Sequence, residues 1–254
     1  MITSVRTFFS KISRKGNTMS NMDTALARVK LLVRDSQVSD EDMQNIILHV
    51  IDDIATSTKI FKKLYGFTVH ENIELYNFRE IARLNEEVEH EPSSITITDP
   101  NQQEIIDFIT KGEFPDPTVE KVMEQEEAKS AVIEVMDIFD SDAISVLNKF
   151  EYRGSAYYFC PDDRWRALND KEKFVFSAWV NPDIDELTPT MLDEILPVIV
   201  TGCKFFVNDL MHSVDDTQAT NYDFMRYYQA KQVLLDRYPT AVTSTDTERM
   251  KQWL

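Results

Sequence analysis

The chain has 254 residues, of which 43% are hydrophobic and 11% aromatic, so it can bury the core of one large domain. It has only five glycines and contains neither Gly-x-Gly-x-x-Gly nor Gly-Lys-Ser/Thr, which argues against a nucleotide-binding loop. The formal net charge of −17 disfavours a protein that grips nucleic-acid phosphates, because that role requires clustered Lys and Arg.

The charge is unevenly distributed along the chain. The first 22 residues carry four basic side chains and no acid, whereas residues 85–130 carry 13 acids against 3 bases. We expect residues 1–21 to be a mobile basic arm, or to precede a start at Met19 or Met22. The Arg- and Ser-rich composition also fits an organellar transit peptide.

The apolar windows of the sequence bear on the compartment. The longest ones, such as EILPVIVTGCKFFV, are too short or too often interrupted by charge to span a bilayer, so we expect a soluble protein without a membrane partner. Cys160 and Cys203 do not make a disulfide framework, and two cysteines fit a reducing compartment best.

Two helices are predicted at the start of the domain. The first covers residues 22–35, and the second covers about 40–64, with Ser39 as its N-cap and Gly66 as its end. The inner face of the second helix is apolar and consists of Ile47, Val50, Ile51, Ile54, Thr58, Phe61 and Leu64. The alternation in FTVHENIELYNF then predicts a strand over about 67–78.

The middle of the chain changes character. Residues 85–130 are acidic and proline-rich, which predicts an exposed insertion with one short helix at NQQEIIDFIT. The pattern of residues 128–150 fits a helical or mixed stretch. Two strand-like runs, 155–160 and 173–180, are separated by the length of a loop, so a β-hairpin is predicted over about 155–180.

Two more helices are predicted near the C-terminus. One begins at Thr188–Pro189 and runs to about residue 213, with Pro197 either kinking it or starting a new helix. The last helix covers about 220–238. The predicted fold class is therefore α+β, mostly α: a bundle of about four long helices with a small antiparallel β element and the acidic insertion. The domain would span residues 22–240, followed by a polar tail at 241–254.

The stretch YYFCPDDRW, residues 157–165, is the first candidate for chemistry. A catalytic Cys160 would need a histidine base, yet His49, His70, His90 and His212 are all distant in sequence. The simpler interpretation is a turn whose aspartates bond to their own backbone, with Arg164 pairing with a carboxylate. Arg164, Trp165 and Arg166 together could contact an acidic partner.

Other motifs give weaker signals. Glu87-x-x-His90 has the spacing of a di-iron ligand pair but occurs once, and His49 and Asp53 share a helical face in the manner of a surface pair. An aromatic run in the last helix fits a core stripe with one wet edge, and it comprises Tyr222, Phe224, Tyr227 and Tyr228. We therefore predict no catalytic residues, no metal and no cofactor.

The order of these elements resembles a known family. A capped helix, SDEDMQNIILHVIDDIATSTKIFKKLYGF, runs into the strand-like VHENIELYNF. Later come the apolar helix TPTMLDEILPVIVTGCKFFVNDLM and the tyrosine-rich YDFMRYYQAKQVLLDRYP. Over residues 22–80 and 150–240 this arrangement resembles the head-to-tail adaptor (connector, head-completion) proteins of tailed bacteriophages. The acidic segment 85–130 departs from the compact members of that family.

The resemblance implies a structural virion protein made in the host cytoplasm. Such proteins form a ring, usually dodecameric, at the portal vertex, where they join the portal protein to the downstream tail or nozzle protein. Double-stranded DNA passes through the ring without specific binding, which the acidic composition suits. The tail would dock on the portal through Met250, Trp253 and Leu254, and the hairpin would face the next tail component. The alternative is a soluble acidic helical interaction or regulatory protein without catalytic activity.

Overall fold

The computed structural model describes residues 20–33, 38–87, 94–114, 132–155, 157–211 and 217–238. This part of the chain holds seven α-helices and six β-strands, which in chain order are α1 (Asn21–Val33), α2 (Asp40–Thr58), β1 (Lys62–Thr68), β2 (Tyr76–Asn77), α3 (Phe78–Glu87), α4 (Gln102–Lys111), β3 (Val132–Phe139), β4 (Phe150–Tyr152), β5 (Tyr158–Pro161), α5 (Asp163–Leu168), β6 (Lys173–Val180), α6 (Pro189–Met211) and α7 (Thr217–Arg237). Short 3-10 turns at Leu147–Lys149 and Ile184–Glu186 precede β4 and α6.

The first two and last two helices form a helical layer with α6 at its centre. α6 packs against α1, α2 and α7, and its apolar stripe makes much of the core. Gly202 permits the close approach, because a Cβ atom there would lie 2.7 Å from Val50 Cγ1 and 2.8 Å from Tyr227 Cε2. At the start of α2, the Ser39 hydroxyl accepts a hydrogen bond from the Asp42 backbone N–H, as expected of an N-cap.

Strands β1, β6 and β3 form the first antiparallel sheet, sheet A, with β6 in the middle. Its register pairs Lys62 with Trp179 and Thr68 with Lys173. One face turns Tyr65 into the main core, where its ring stacks on Phe176 at 5.2 Å. The other face is covered by α4, whose apolar side chains pack on the sheet in a smaller cluster. Both faces of sheet A are therefore buried.

Strands β2, β5 and β4 form the second antiparallel sheet, sheet B, in that order. It is joined to sheet A by aromatic rings rather than by backbone pairing. Phe67 of sheet A makes edge-on contacts with Tyr76, Phe78 and Phe150, with ring centroids 5.2 to 6.3 Å apart. Such edge-to-face contacts add to the stabilisation from burial alone.

The predicted bundle of four helices with one small β element is wrong. The described residues hold seven helices and two three-stranded antiparallel sheets in an α+β arrangement. One cause lies at the end of α2, which we predicted to run to about residue 64. The helix stops at Thr58 because Lys59 takes a left-handed conformation with φ 50° and ψ 43°. The chain then continues as β1, so that Gly66 lies inside a strand.

Two predicted β features are also wrong. The strand predicted over 67–78 is limited to the end of β1 and the two residues of β2. The predicted 155–180 hairpin does not form, since β5 pairs within sheet B and β6 within sheet A. The helix α5 lies between them and redirects the chain. The stretch at 128–150, predicted to be helical or mixed, contains β3 and the 3-10 turn that precedes β4.

Other predicted elements are confirmed. The first helix, the short helix at NQQEIIDFIT, the strand over 173–180 and the two C-terminal helices all form. Pro197 lies inside α6, which continues through it. The acidic insertion is described only in part, as residues 88–93 and 115–131 lie outside the described residues. The predicted basic arm, up to residue 19, and the predicted tail at 241–254 also lie outside them.

Candidate interaction surface and anion cleft

Helix α7 exposes a series of large apolar side chains. Five of them are between 47% and 57% exposed, and we call them the α7 apolar surface: Tyr222, Phe224, Met225, Tyr228 and Val233. The sequence predicted a core stripe here, but of its four aromatic residues only Tyr227 is buried. The surface is extended by α1, where Leu31 and Leu32 are exposed as well.

Polar contacts hold the inner face of α7 against α2 and α6. Asp223, almost fully buried, accepts hydrogen bonds from Lys204 Nζ at 2.8 Å and from Asn208 Nδ2. The Tyr227 hydroxyl donates to Asp53 Oδ2, which also accepts from Lys231 Nζ at 2.9 Å. Burial, followed by this bond to a carboxylate, raises the pKa of the Tyr227 hydroxyl. These contacts fix the orientation of the helix.

A groove runs between α1, α6 and α7 beside the apolar surface. Its volume is about 250 Å³, and its lining includes Leu32 from α1, Val200 from α6 and Arg226 from α7. The Arg226 guanidinium lies 4.8 Å from the centre of the Tyr222 ring, a cation–π distance. The groove and the exposed side chains are both candidates for contact with another protein.

The segment at residues 157–165 is a strand end followed by a helix start, rather than a free turn. Asp162 caps α5, and its carboxylate accepts a hydrogen bond from the Trp165 backbone N–H at 3.0 Å. Arg164 is exposed, whereas Trp165 packs between the rings of Phe150 and Phe174. Arg164 is thus accessible to a partner, and Trp165 serves mainly as packing.

Arg166 is buried, with only 8% of its surface exposed. Its Nη1 donates to the Ile73 carbonyl at 3.0 Å and its Nη2 to Asp163 Oδ1 at 3.2 Å. Its Nε is buried and has no hydrogen-bond partner among the described residues. A buried donor without an acceptor costs about 1–3 kcal/mol, so such groups require an explanation. The residue types alone do not indicate that Arg166, rather than Arg164, is the buried member of the pair.

Arg166 lines an open cleft of about 650 Å³ at the end of sheet B, which we call the Arg166 cleft. The cleft holds three cations and four carboxylates, contributed by Lys149, Arg153, Arg166, Glu74, Glu151, Asp162 and Asp163. Arg153 pairs with Glu151 at 2.6 Å, and both are largely exposed. Cys160 lies on the cleft wall with an intermediate exposure. The chemistry available in this cleft is ionic recognition.

A smaller cavity of about 190 Å³ lies between sheet A and the segment that leads into α4. Its two lysines are buried and already paired. Lys62 contacts Asp99 at 2.6 Å, and Lys63 lies within 3.7 Å of Glu86 and Glu186. Because these charges are balanced within the fold, the cavity shows no unmet demand for a ligand.

The remaining predicted site residues are not brought together. Glu87 ends α3 and His90 lies outside the described residues, as do Met250, Trp253 and Leu254. Over the part of the chain that the structure describes, no group of three or more His, Cys, Asp or Glu side chains is placed to hold a metal. No helix within the same residues is long and apolar enough to cross a membrane.

No protein-family model matches the chain, and no curated protein is similar to it in sequence. The function must therefore be argued from the α7 apolar surface, the groove and the cleft.

Proposed function

We propose that the chain is a structural virion subunit, a head-to-tail adaptor that forms a ring between the portal vertex and the tail and continues the DNA channel. The observation that carries the proposal is the α7 apolar surface together with Leu31 and Leu32. A structural role in assembly depends on such surfaces, which become buried only when neighbouring subunits meet.

The size of the surface suits a subunit interface. Its five side chains lie between residues 222 and 233 of helix α7, which corresponds to about 17 Å along the helix axis. Each of these side chains is already about half buried, so moving it fully into an interface contributes roughly 0.8–1.5 kcal/mol before the costs of association. Five such side chains on one helix contribute to a protein contact, while the ion pairs beneath them keep the helix in place.

A closed ring also requires a second, different surface on every subunit. The sheet half of the molecule offers other exposed apolar side chains, namely Ile144, Tyr152 and Leu168. A contact between the helical face of one copy and the sheet half of the next would be heterologous, as rings require. The net charge of −17 supports a channel role, because like charges keep DNA from adhering to the wall.

Native mass spectrometry of the purified chain, alone and mixed with portal rings, tests the proposal. We expect one copy to be added per portal subunit. Met225→Glu and Val233→Glu place a charge in the α7 apolar surface, and each should abolish the ring. Thr110→Glu, which adds the same charge to an exposed position of α4, is the matched control and should assemble normally.

Two results would overturn the adaptor proposal. One is a chain that stays monomeric with every portal tested. The other is a tight dimer that forms without a portal and is broken by Val233→Glu. That dimer would favour the alternative, an acidic helical interaction or regulatory protein that uses the same surface.

A further inference from the structure

The Arg166 cleft has a property that the adaptor proposal does not use. A guanidinium carries N–H donors on Nε, Nη1 and Nη2, and in Arg166 only Nη1 and Nη2 have acceptors among the described residues. The side chain cannot swing into water to satisfy Nε, because the Ile73 carbonyl and the packing around α5 hold it in place. The cleft thus presents a fixed cation with an unused donor.

The shape of the guanidinium restricts the class of ligand. Nε and Nη2 lie on the same edge of the guanidinium and carry two parallel N–H bonds, which is the geometry that a carboxylate accepts, and Nε itself is buried. Asp163 now contacts Nη2 at 3.2 Å, but its side chain is 92% exposed and forms only this one bond to Arg166. Asp163 is therefore a weakly held occupant of the edge that an incoming carboxylate could replace.

The charges around the cleft further restrict the charge that a ligand can carry. Its four carboxylates outnumber its three cations, so the cleft has no surplus positive charge and disfavours a phosphate dianion more strongly than a single carboxylate. Lys149 is exposed at the rim and forms no ion pair with the described residues, so it offers a second cation to the same ligand. With a volume of about 650 Å³, the cleft admits a side chain together with its flanking backbone.

We propose that the Arg166 cleft is a binding site for an acidic peptide segment of a partner protein, in which one Asp or Glu carboxylate binds side-on to Nε and Nη2 of Arg166 and lies beside Lys149. The inference does not depend on the ring, since the cleft is at the end of sheet B and the α7 apolar surface belongs to the helical layer.

The test follows the arginine Nε–H signals of the ¹⁵N-labelled full chain by NMR. The probe is the peptide acetyl-Gly-Glu-Gly-amide, and its isosteric control is acetyl-Gly-Gln-Gly-amide. We expect the Arg166 signal to shift saturably with the Glu peptide alone. Asp163→Asn removes the competing carboxylate and should tighten binding by about two- to fivefold, the range expected for an exposed ion pair. Lys149→Gln should weaken it to a similar extent.

Loss of a signal in Arg166→Lys assigns that signal to the Arg166 Nε–H. Because this variant can also destabilise the fold, the proposal is tested with Asp163→Asn and Lys149→Gln. Equal shifts with the Glu and Gln peptides would overturn the proposal, as would the absence of saturation in both wild type and Asp163→Asn. A third result would also overturn it. If the Arg166 Nε–H is already hydrogen-bonded without peptide and loses that bond in Asp163→Asn, then Asp163 is its internal acceptor and no donor is left for a ligand. Tighter binding of inorganic phosphate than of the Glu peptide would refute the choice of ligand.

Discussion

Replacing Gly202 by alanine tests how closely α6 packs against its neighbours. In an isolated helix this change stabilises by about 1 kcal/mol, because alanine is the better helix former. In this fold the new methyl group would lie within 3.0 Å of both Cγ atoms of Val50 and of a ring carbon of Tyr227. Overpacking of this kind costs about 1–3 kcal/mol.

Neither neighbour can move away cheaply. Val50 is β-branched and lies inside α2, where one rotamer dominates, and the Tyr227 hydroxyl is tied to Asp53. We therefore expect Gly202→Ala to lower the free energy of unfolding by about 1 kcal/mol net, with the packing cost exceeding the gain in helix propensity.

The assay is urea unfolding followed by circular dichroism, carried out as a double-mutant cycle with Val50→Ala. Val50→Ala alone should cost about 2 kcal/mol through the cavity it leaves. The double variant should cost about 1 kcal/mol less than the sum, because the methyl group at 202 then fills that space. If Gly202→Ala raises the stability by the full helix-propensity gain and the cycle is additive, the close contact between α2, α6 and α7 does not exist.

Two further predictions concern buried groups. Burial raises the pKa of Tyr76 from 10.0 to about 12 and that of Cys203 from 9.0 to about 12. Since the folded state favours their neutral forms, the free energy of unfolding should be unaffected by these groups below pH 9 and should fall as the pH rises towards 12. Urea unfolding across that range should show the fall, and Tyr76→Phe should reduce it; an unchanged pH dependence would contradict the assignment. Lys204→Ala leaves the buried Asp223 without its cation and should cost about 2 kcal/mol. Its control, Lys30→Ala, breaks the exposed pair with Asp40 and should cost under about 0.5 kcal/mol. Equal losses of stability in the two variants would contradict the role of the Lys204–Asp223 pair in holding α7 against α6.

The sequence pattern located five of the described helices, missed α3 and α5, and misplaced most of the strands, and β1 shows one reason. Phe61 and Leu64 continue the apolar spacing of α2, so the pattern hid the break at Lys59. Lys62 and Lys63 made the segment resemble an exposed surface, yet both are buried and paired with acids from other parts of the chain. Such pairing is a tertiary effect that a local pattern does not contain.

Strand β3 was missed for a different reason. Its buried residues are Val132, Val135 and Ile138, a spacing of three that is typical of a helix face. Two irregularities in its pairing with β6, at Val132/Glu134 and Val135/Asp137, shift the register and convert the usual alternation of two into that spacing. Because a bulge consists of two residues of one strand opposing one residue of its partner, the sequence of β3 alone could not reveal the two irregularities.

The site residues show the same division between local and tertiary information. The residue types in PDDRW indicated a local backbone bond from an aspartate, and Asp162 does make one. Which arginine is buried depends on α5, whose six residues place Arg166 against the Ile73 carbonyl and leave Arg164 in solvent. The cleft is lined by the loop before β2 and by the end of sheet B, two separate parts of the chain, so a local sequence pattern does not reveal it.

Helix α7 is attached to the fold largely by polar contacts, which leaves large apolar side chains on its outer face. Most amphipathic helices attach through an apolar stripe, and their polar side faces water. α7 reverses part of this arrangement, because its inner face uses Asp223 and the pair Tyr227–Lys231 to bond with α2 and α6. Large apolar side chains such as Tyr228 and Val233 are consequently not buried in the core. Because the polar contacts of the inner face already hold α7 in place, these side chains remain available for the subunit contact proposed above.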